Sequence, residues 1–276
     1  MMTSRRRRHV PLRAELLLLT LAACGGEGPA PAIERVESAP LPVQAIATGG
    51  AAGLQDAIDT ARTPVRLVLS AGDYHLEGGA VLHGDGIVLT GAGADSTVLE
   101  GGVTVRQCLG CRIEHLTVRG APSAQEVVRV ESGVVELDDV RLQAGPGTET
   151  GIAVTGGSLT ADGILLDAIP TGVLVEAAGR AGVRHSIFDG GVTGVEAATG
   201  ADVVVVDNLF LVSGCAIEGA DTVRTLNAFL GNLISASGSG AGCPELDTLR
   251  VDDPAAVPVL LELARYPALR GSLPRP

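Results

Sequence analysis

Short apolar runs, separated by glycine, aspartate and threonine, dominate the chain from residue 51 onward. Each run holds three to five residues, mostly valine, leucine and isoleucine. A helix would need a longer segment with apolar residues at a period of 3.6, whereas β-branched runs bounded by turn residues are typical of strands. The pattern therefore predicts many short strands joined by tight turns.

A unit of about 21 residues recurs in the second half of the chain. The related tetrapeptides GIAV, GVLV, GVEA and GCAI begin at Gly151, Gly172, Gly194 and Gly214, at intervals of 21, 22 and 20 residues. The second half of each unit has two positions, two residues apart, that align from unit to unit. All three phenylalanines of the chain, Phe188, Phe210 and Phe229, occupy the same one of these positions. Strand repeats of this length predict coils that stack in register about 4.8 Å apart. We therefore expect an all-β fold, a right-handed parallel β-helix with three short strands in each coil.

The first coils resemble the pectin-lyase-like family of right-handed β-helix proteins. The resemblance rests on a short helix, a Gly-x-Tyr motif and a Gly-x-Gly-x-x-Ser-Thr motif, at residues 54–59, 72–74 and 91–99. It covers residues 51–243 and implies that the first helix caps the open end of the core. The glycines at 91 and 93 lead into another apolar run and not into a helix, so we expect a corner there and no phosphate site.

The N-terminus is typical of an export signal, because arginines precede a short apolar run that ends at residue 23. Residues 21–24, Leu-Ala-Ala-Cys, resemble the lipobox of bacterial lipoproteins, in which the cysteine is lipidated after cleavage. We expect a lipoprotein signal peptide at 1–23, lipidation at Cys24 and a flexible tether over 24–50. The alternatives are an ordinary cleaved signal and an uncleaved N-terminus.

The β-helix is expected to span residues 51–243, with a C-terminal cap and tail at 244–276. Asp253 followed by proline predicts the start of a short helix. Leu260, Leu263 and Ala264 would then seal the second end of the core.

The charge balance excludes nucleic acid as a partner. The chain has 20 basic and 32 acidic residues, and all the basic ones are arginine. Five arginines and one glutamate precede residue 24, so the remainder carries a net charge of −16. Such a surface repels nucleic acid and anionic lipid. The expected partners are the membrane, through the lipid on Cys24, and a glycan or an envelope protein.

Polar residues form two columns when the coils are stacked. The first column holds Glu114, Asp138, Asp162 and Arg184, and the second holds His115, Asp139, His185 and Asp207, with Gly163 interrupting it. The alternative interpretation is a solvated turn, since aspartate often satisfies backbone N–H groups in bends. The two histidines lie about three coils apart and cannot share one metal ion.

Two uses of the first column are chemically conceivable. Glu114, Asp138 and Asp162 repel one another and could weakly bind Ca²⁺, the only cofactor that the sequence suggests. With Ca²⁺ in place, Asp138, Asp162 and Arg184 are the candidate catalytic residues of a lyase in which Arg184 acts as the base. Without the metal ion, the column is only a polar edge.

The cysteines after residue 24 are even in number. Cys215 and Cys243 each follow a glycine one enlarged coil apart, which predicts a disulfide in an exported protein. Cys108 and Cys111 are flanked by strands and lack a helix that would activate a thiolate. They are expected to be a structural or unpaired thiol pair in a turn, and their bonding state is left open.

The sequence favours a non-catalytic, lipid-anchored protein that binds or organises envelope components. The hydrolase motifs of the resembled family are absent except for Asp138-Asp139, and the chain contains neither lysine nor tryptophan. The alternative is a polysaccharide lyase or hydrolase that acts on acidic glycans.

Overall fold

The computed structural model describes residues 41–46, 51–61, 64–212, 214–219, 233–234, 249–250 and 256–273. Its strands pair only in parallel and form three long sheets, so that each full coil contributes one strand to each sheet. About seven turns are stacked in this way. The predicted fold, a right-handed parallel β-helix, is confirmed.

The strands are numbered in chain order. Sheet 1 contains β1 (Val43–Ile46), β2 (Val65–Leu69), β5 (Ile87–Thr90), β8 (Cys108–Glu114), β11 (Gly133–Asp138), β14 (Gly157–Asp162), β17 (Gly179–Arg184) and β20 (Asp202–Val206). Sheet 2 contains β3 (Gly72–His75), β6 (Thr97–Glu100), β9 (Thr117–Arg119), β12 (Arg141–Gln143), β15 (Leu165–Asp167), β18 (Ile187–Asp189), β21 (Leu209–Leu211), β23 (Leu233–Ile234) and β24 (Leu249–Arg250). Sheet 3 contains β4 (Ala80–Leu82), β7 (Val103–Val105), β10 (Glu126–Val130), β13 (Thr150–Val154), β16 (Thr171–Val175), β19 (Thr193–Ala197) and β22 (Ile217–Glu218).

Alternate residues of each strand point into one continuous apolar core, as the period of two requires. The predicted phenylalanine register is confirmed for Phe188 and Phe210, whose rings stack with centroids 4.5 Å apart. The third member, Phe229, lies outside the described residues. With so few aromatic side chains, valine, leucine and isoleucine provide most of the packing.

Helix α1 (Ala51–Thr60) buries Leu54, Ala57 and Ile58 in the core. The side-chain amide of Gln55 donates to the Val81 carbonyl and accepts from the Val81 N–H. These two bonds satisfy backbone groups of the edge strand β4. The helix therefore covers the core and protects an open sheet edge at once.

The segment expected to be a flexible tether includes a strand. Residues 43–46 form β1 and pair in parallel with β2, and Ile46 is buried. The predicted signal peptide and Cys24 lie outside the described residues. Within the described part of the chain, no helix is long and apolar enough to cross a membrane.

The C-terminal helix α2 (Val257–Leu263) packs against the side of the coil stack. The sequence analysis expected it to seal the second end of the core instead. Val259 and Leu263 contact Leu165, Ile187 and Leu209, which point outward from sheet 2. These three residues form an apolar stripe that needs a cover of its own. A short helical turn (Pro267–Leu269) follows α2 along the same face.

Candidate functional site

The first predicted column is present at the edge where the strands of sheet 1 end. Glu114, Asp138, Asp162 and Arg184 are successive register partners on β8, β11, β14 and β17. The chain then turns toward sheet 2 through residues with positive φ, which are His115, Asp139, Gly163, His185 and Asp207. The second column therefore consists of corner residues. Two of its members, His185 and Asp207, also line the groove described below.

Glu114 is neutralised by arginines that the sequence analysis did not connect with it. Its carboxylate accepts hydrogen bonds from Arg66 and Thr90, and Arg112 lies 3.7 Å away. Burial acts to raise the pKa of Glu114, but these hydrogen bonds and the Arg66 charge hold it below the ordinary value. Glu114 therefore needs no metal ion to offset its charge.

Asp162 is the centre of the candidate site, because three donors converge on its carboxylate. Arg184 Nε donates at 2.8 Å, His185 Nδ1 lies at 2.8 Å and the Tyr266 hydroxyl donates at 2.7 Å. Burial acts to raise the pKa of Asp162, but the bonds from Tyr266 and His185 and the Arg184 charge outweigh it and lower the pKa. Asp162 is thus an ionised acceptor.

The ionised state of Asp162 determines which nitrogen of His185 carries the proton. An acceptor 2.8 Å from Nδ1 requires that Nδ1 be the donor. In the neutral imidazole the lone pair is then on Nε2. This arrangement, a carboxylate that orients a histidine, is the one that proteins use to prepare a histidine as a general base.

Tyr266 enters the site through the gap in the second column. A Cβ at Gly163 would lie 1.9 Å from Cδ1 of Tyr266, so the ring occupies the space that a side chain would take. The ring stacks on His185 with centroids 5.9 Å apart. Burial and the adjacent carboxylate of Asp162 raise the pKa of Tyr266 strongly, which keeps its hydroxyl protonated as a donor.

The other two acids of this edge have different surroundings. No hydrogen bond or ion pair with another described residue involves the Asp138 carboxylate, and burial together with the charge of Asp162 raises its pKa. Asp139 accepts from the backbone N–H of Ala268 at 2.9 Å and pairs with His115 at 3.0 Å. Asp139 therefore helps to hold the C-terminal segment that carries Tyr266.

A groove of about 430 Å³ opens on the outer face of sheet 1 beside this cluster. Arg184 and His185 line one side, and Thr160, Gly182 and Val204 lie along its floor. Of the three candidate catalytic residues, only Arg184 lines the groove. Asp162 belongs to the same cluster through its contact with Arg184, whereas Asp138 makes no such contact. The sequence analysis did not identify Tyr266. The one feature that pointed to it was Gly163, whose missing side chain leaves the space that the Tyr266 ring occupies.

The acidic column does not fit a calcium site. Glu114 and Asp162 direct their carboxylates at arginine, threonine, tyrosine and histidine donors. Ca²⁺ prefers six to eight oxygen ligands, and the described residues contain no cluster of three or more metal-ligand side chains.

Cys108 and Cys111 form a disulfide within β8, with Cα atoms 5.9 Å apart. This resolves the alternative that the sequence left open. Cys215 is also disulfide-bonded. Its predicted partner, Cys243, lies outside the described residues, so this pairing stays a prediction.

Comparison with known proteins gives structural matches only. No family model and no curated protein sequence matches the chain. An alginate lyase from Paenibacillus sp. str. FPU-7 shares the fold, with 18% identity, a TM-score of 0.51, and coverage of 71% of this chain and 75% of that one.

Two more distant structures also match. A mannuronic acid specific polysaccharide family 6 lyase from human gut microbiota has 12% identity and a TM-score of 0.43, with coverage of 75% of this chain and 64% of that one. The A-module of the mannuronan C-5 epimerase AlgE4 from Azotobacter vinelandii has 18% identity and a TM-score of 0.37, with coverage of 75% and 79%.

The match to the alginate lyase corrects the main functional prediction from the sequence. A non-catalytic role at the envelope was preferred there because the hydrolase motifs are absent. The solved structure that shares the fold at a TM-score of 0.51 is an alginate lyase, which favours the alternative prediction, a polysaccharide lyase, over the non-catalytic role. Missing hydrolase motifs do not argue against a lyase, because the two reactions need different groups.

Proposed function

We propose that the chain is a polysaccharide lyase that cleaves uronate-containing glycans by β-elimination in the groove beside Arg184 and His185. The observation that carries the proposal is the histidine oriented by Asp162 directly next to an arginine, both lining one groove. An alginate lyase with the same fold makes alginate the first substrate to test.

In this reaction Arg184 pairs with the uronate carboxylate. Its guanidinium is about half exposed, and its Nε and one terminal nitrogen are directed at Asp162, which leaves N–H groups for a second anion. Neutralising the carboxylate makes the neighbouring C5–H bond more acidic. The sequence analysis cast Arg184 as the base, but a guanidinium paired with an ionised aspartate stays protonated, so the carboxylate-binding role suits it better.

His185 then serves as the base. Nε2 takes the proton from C5, the C5–H electron pair forms the C4–C5 double bond, and the C4–O bond of the glycosidic linkage breaks. The leaving oxygen takes up the proton that the imidazolium returns. The products are a new non-reducing end with an unsaturated uronate and a new free hydroxyl, and no oxidant, reductant or water is consumed.

Asp162 and Tyr266 are positioning residues in this scheme. The negative charge of Asp162 keeps the proton on Nδ1 and stabilises the imidazolium that forms after proton transfer. Tyr266 holds Asp162 with its hydroxyl and supports the plane of His185 with its ring. These contacts keep Nε2 directed away from Asp162.

The test is the appearance of unsaturated uronate, measured at 235 nm, when the purified protein is incubated with alginate or pectate. We expect steady product formation by the wild type and its loss in His185→Ala and Arg184→Ala. His75→Ala is the matched control, because His75 also pairs with a carboxylate, that of Glu100, but is outside the groove.

Two outcomes would overturn the proposal. One is the absence of unsaturated product from every uronate polymer tested, and the other is full activity in His185→Ala. New reducing ends without absorbance at 235 nm would indicate the hydrolase alternative.

We also propose that the protein is exported and attached to a bacterial membrane through a lipid on Cys24. The lipobox-like residues 21–24 support this proposal. Export would place a lyase where extracellular polysaccharide is available, and anchoring would keep the enzyme at the cell.

A further inference from the structure

The outer face of sheet 1 has a position where one side chain is missing. Along the row next to the acidic column, successive coils present side chains that cover the sheet. The row runs through Arg66, Val88, Arg112, Glu136, Thr160, Gly182 and Val204. Gly182 is the only member of this row without a side chain, so a gap one residue wide opens between Thr160 and Val204.

The backbone does not require glycine at this position. Gly182 has no positive φ, and a Cβ built on it would meet no heavy atom within 4 Å. The other glycines of the described strands either have positive φ or would bring a Cβ within about 3 Å of a neighbour. Folding therefore explains those glycines and leaves Gly182 unexplained.

Gly163 is a second glycine of this region that leaves a gap. Both glycines leave gaps beside Asp162, one at the corner and one on the sheet face. The chain fills the first gap with Tyr266, whereas the second remains open as the floor of the groove.

We infer that the Gly182 gap is a subsite for a single pyranose ring that carries a carboxylate, and that Gly182 makes the room for it. The inference rests on the proposed function for the identity of the sugar. Gly182 and Val204 offer an apolar floor for the C–H face of a sugar ring. Aromatic side chains often provide such a surface in ligand sites, but no phenylalanine or tyrosine lines this groove.

The charges around the gap orient the ring. Arg184 stands at one side and is the cation that lines the groove, so the carboxylate faces it. Asp207 lies at the rim and repels a carboxylate, but its oxygens accept hydrogen bonds from sugar hydroxyls. The hydroxyl of Thr160 provides a further polar contact. The subsite therefore selects an acidic sugar over a neutral one of the same shape.

The experiment uses monosaccharides, which a lyase cannot cleave, so that binding is measured apart from turnover. The isotope-labelled protein is titrated with mannuronate, with galacturonate and with mannose, and backbone amide shifts are followed by NMR. We expect a uronate to shift the amides of Gly182 and Arg184 in a saturable manner, and mannose to bind at least tenfold more weakly.

Gly182→Val places a branched side chain in the gap and is expected to weaken uronate binding at least tenfold. Its melting temperature should be unchanged or higher, because a Cβ at this position meets no heavy atom within 4 Å and valine suits a strand. Ser158→Val is the matched control, since it adds apolar bulk to the same face of sheet 1, outside the groove, and should bind as the wild type does.

The inference fails if neither uronate shifts these amides, if mannose binds as well as a uronate, or if folded Gly182→Val binds normally. Binding without cleavage of any polymer would refute the proposed function and leave the subsite standing. Cleavage that is unaffected by Gly182→Val would refute the subsite and leave the function standing.

Discussion

The ring of Tyr266 occupies the space that Gly163 leaves open, although the two residues lie about a hundred positions apart in the chain. Through this contact a residue from outside the coil repeat reaches Asp162 and His185. The vacancy at Gly163 is therefore a docking position for the C-terminal segment, and it should tolerate no side chain.

We expect Gly163→Ala to expel Tyr266 and to lower both activity and stability. The Cβ would lie 1.9 Å from the ring, and alanine at φ +66 adds strain of about 1 kcal/mol. Gly78→Ala separates the two effects, because Gly78 also has positive φ but has no heavy atom within 4 Å of where a Cβ would lie. Thermal unfolding and the 235 nm assay should show a larger loss for Gly163→Ala, and equal losses would contradict the docking role.

A second prediction concerns Asp162→Asn, which keeps the shape of the side chain and removes its charge. An amide can donate to Nδ1, which would place the lone pair of His185 on the wrong nitrogen. Comparable changes in a histidine–aspartate pair lower kcat by about 10⁴-fold, and we expect a loss of roughly 10³-fold or more here, mainly in kcat. Glu131→Gln removes an arginine-paired carboxylate elsewhere and should change kcat little. A comparable fall in that control would indicate a general structural effect.

The pH dependence of stability should show that the ionised carboxylate of Asp138 destabilises the folded protein. Burial and the charge of Asp162 raise the pKa of Asp138 in the folded state. The folded protein then binds more protons than the unfolded chain between the two pKa values, so this group's contribution to stability falls as pH rises through the folded value. Asp138→Asn should therefore raise the melting temperature at pH 7, and the gain should shrink as pH falls toward 4.

Asp73→Asn, at an exposed aspartate on β3, is the control for Asp138→Asn. Its melting temperature should stay close to that of the wild type at both pH values. If Asp138→Asn lowers the melting temperature at pH 7, the ionised carboxylate has a stabilising partner and its charge does not destabilise the folded protein.

The coil register was predictable because each coil repeats its neighbour. Glu114, Asp138, Asp162 and Arg184 were placed in one column from their spacing alone, and the structure pairs them in that order. In a parallel β-helix, contacts between adjacent coils follow from the repeat length, so the position of each side chain relative to its neighbours can be read from the sequence.

The residues that complete the site could not be predicted in this way. Tyr266 belongs to a segment without the repeat, and its position depends on an outward apolar stripe on sheet 2. Arg66 reaches Glu114 across two coils and from the neighbouring row. Both contacts depend on long side chains or on tertiary packing. The repeat length does not predict such contacts, because it relates only equivalent positions on adjacent coils.

Disulfide mapping tests the redox state expected of an exported protein. Without reduction, proteolytic peptides should show Cys108 linked to Cys111, as in the structure, and Cys215 linked to Cys243. Loop entropy gives about 2 kcal/mol for the short link and about 3.5 kcal/mol for the longer one. Reduction should therefore lower the melting temperature. A link from Cys215 to Cys24 would contradict both the second pairing and lipidation.

The last prediction concerns the membrane anchor. The lipobox-like residues before Cys24 predict that the wild type is recovered with membranes and incorporates labelled fatty acid at this cysteine. Because a hydroxyl cannot take the place of the thiol that carries the lipid, Cys24→Ser should lose the label and move to the soluble fraction. Ser38→Ala, in the segment after the cysteine, is the control and should stay with membranes. If cleaved Cys24→Ser protein still fractionates with membranes, the attachment does not depend on a lipid at Cys24.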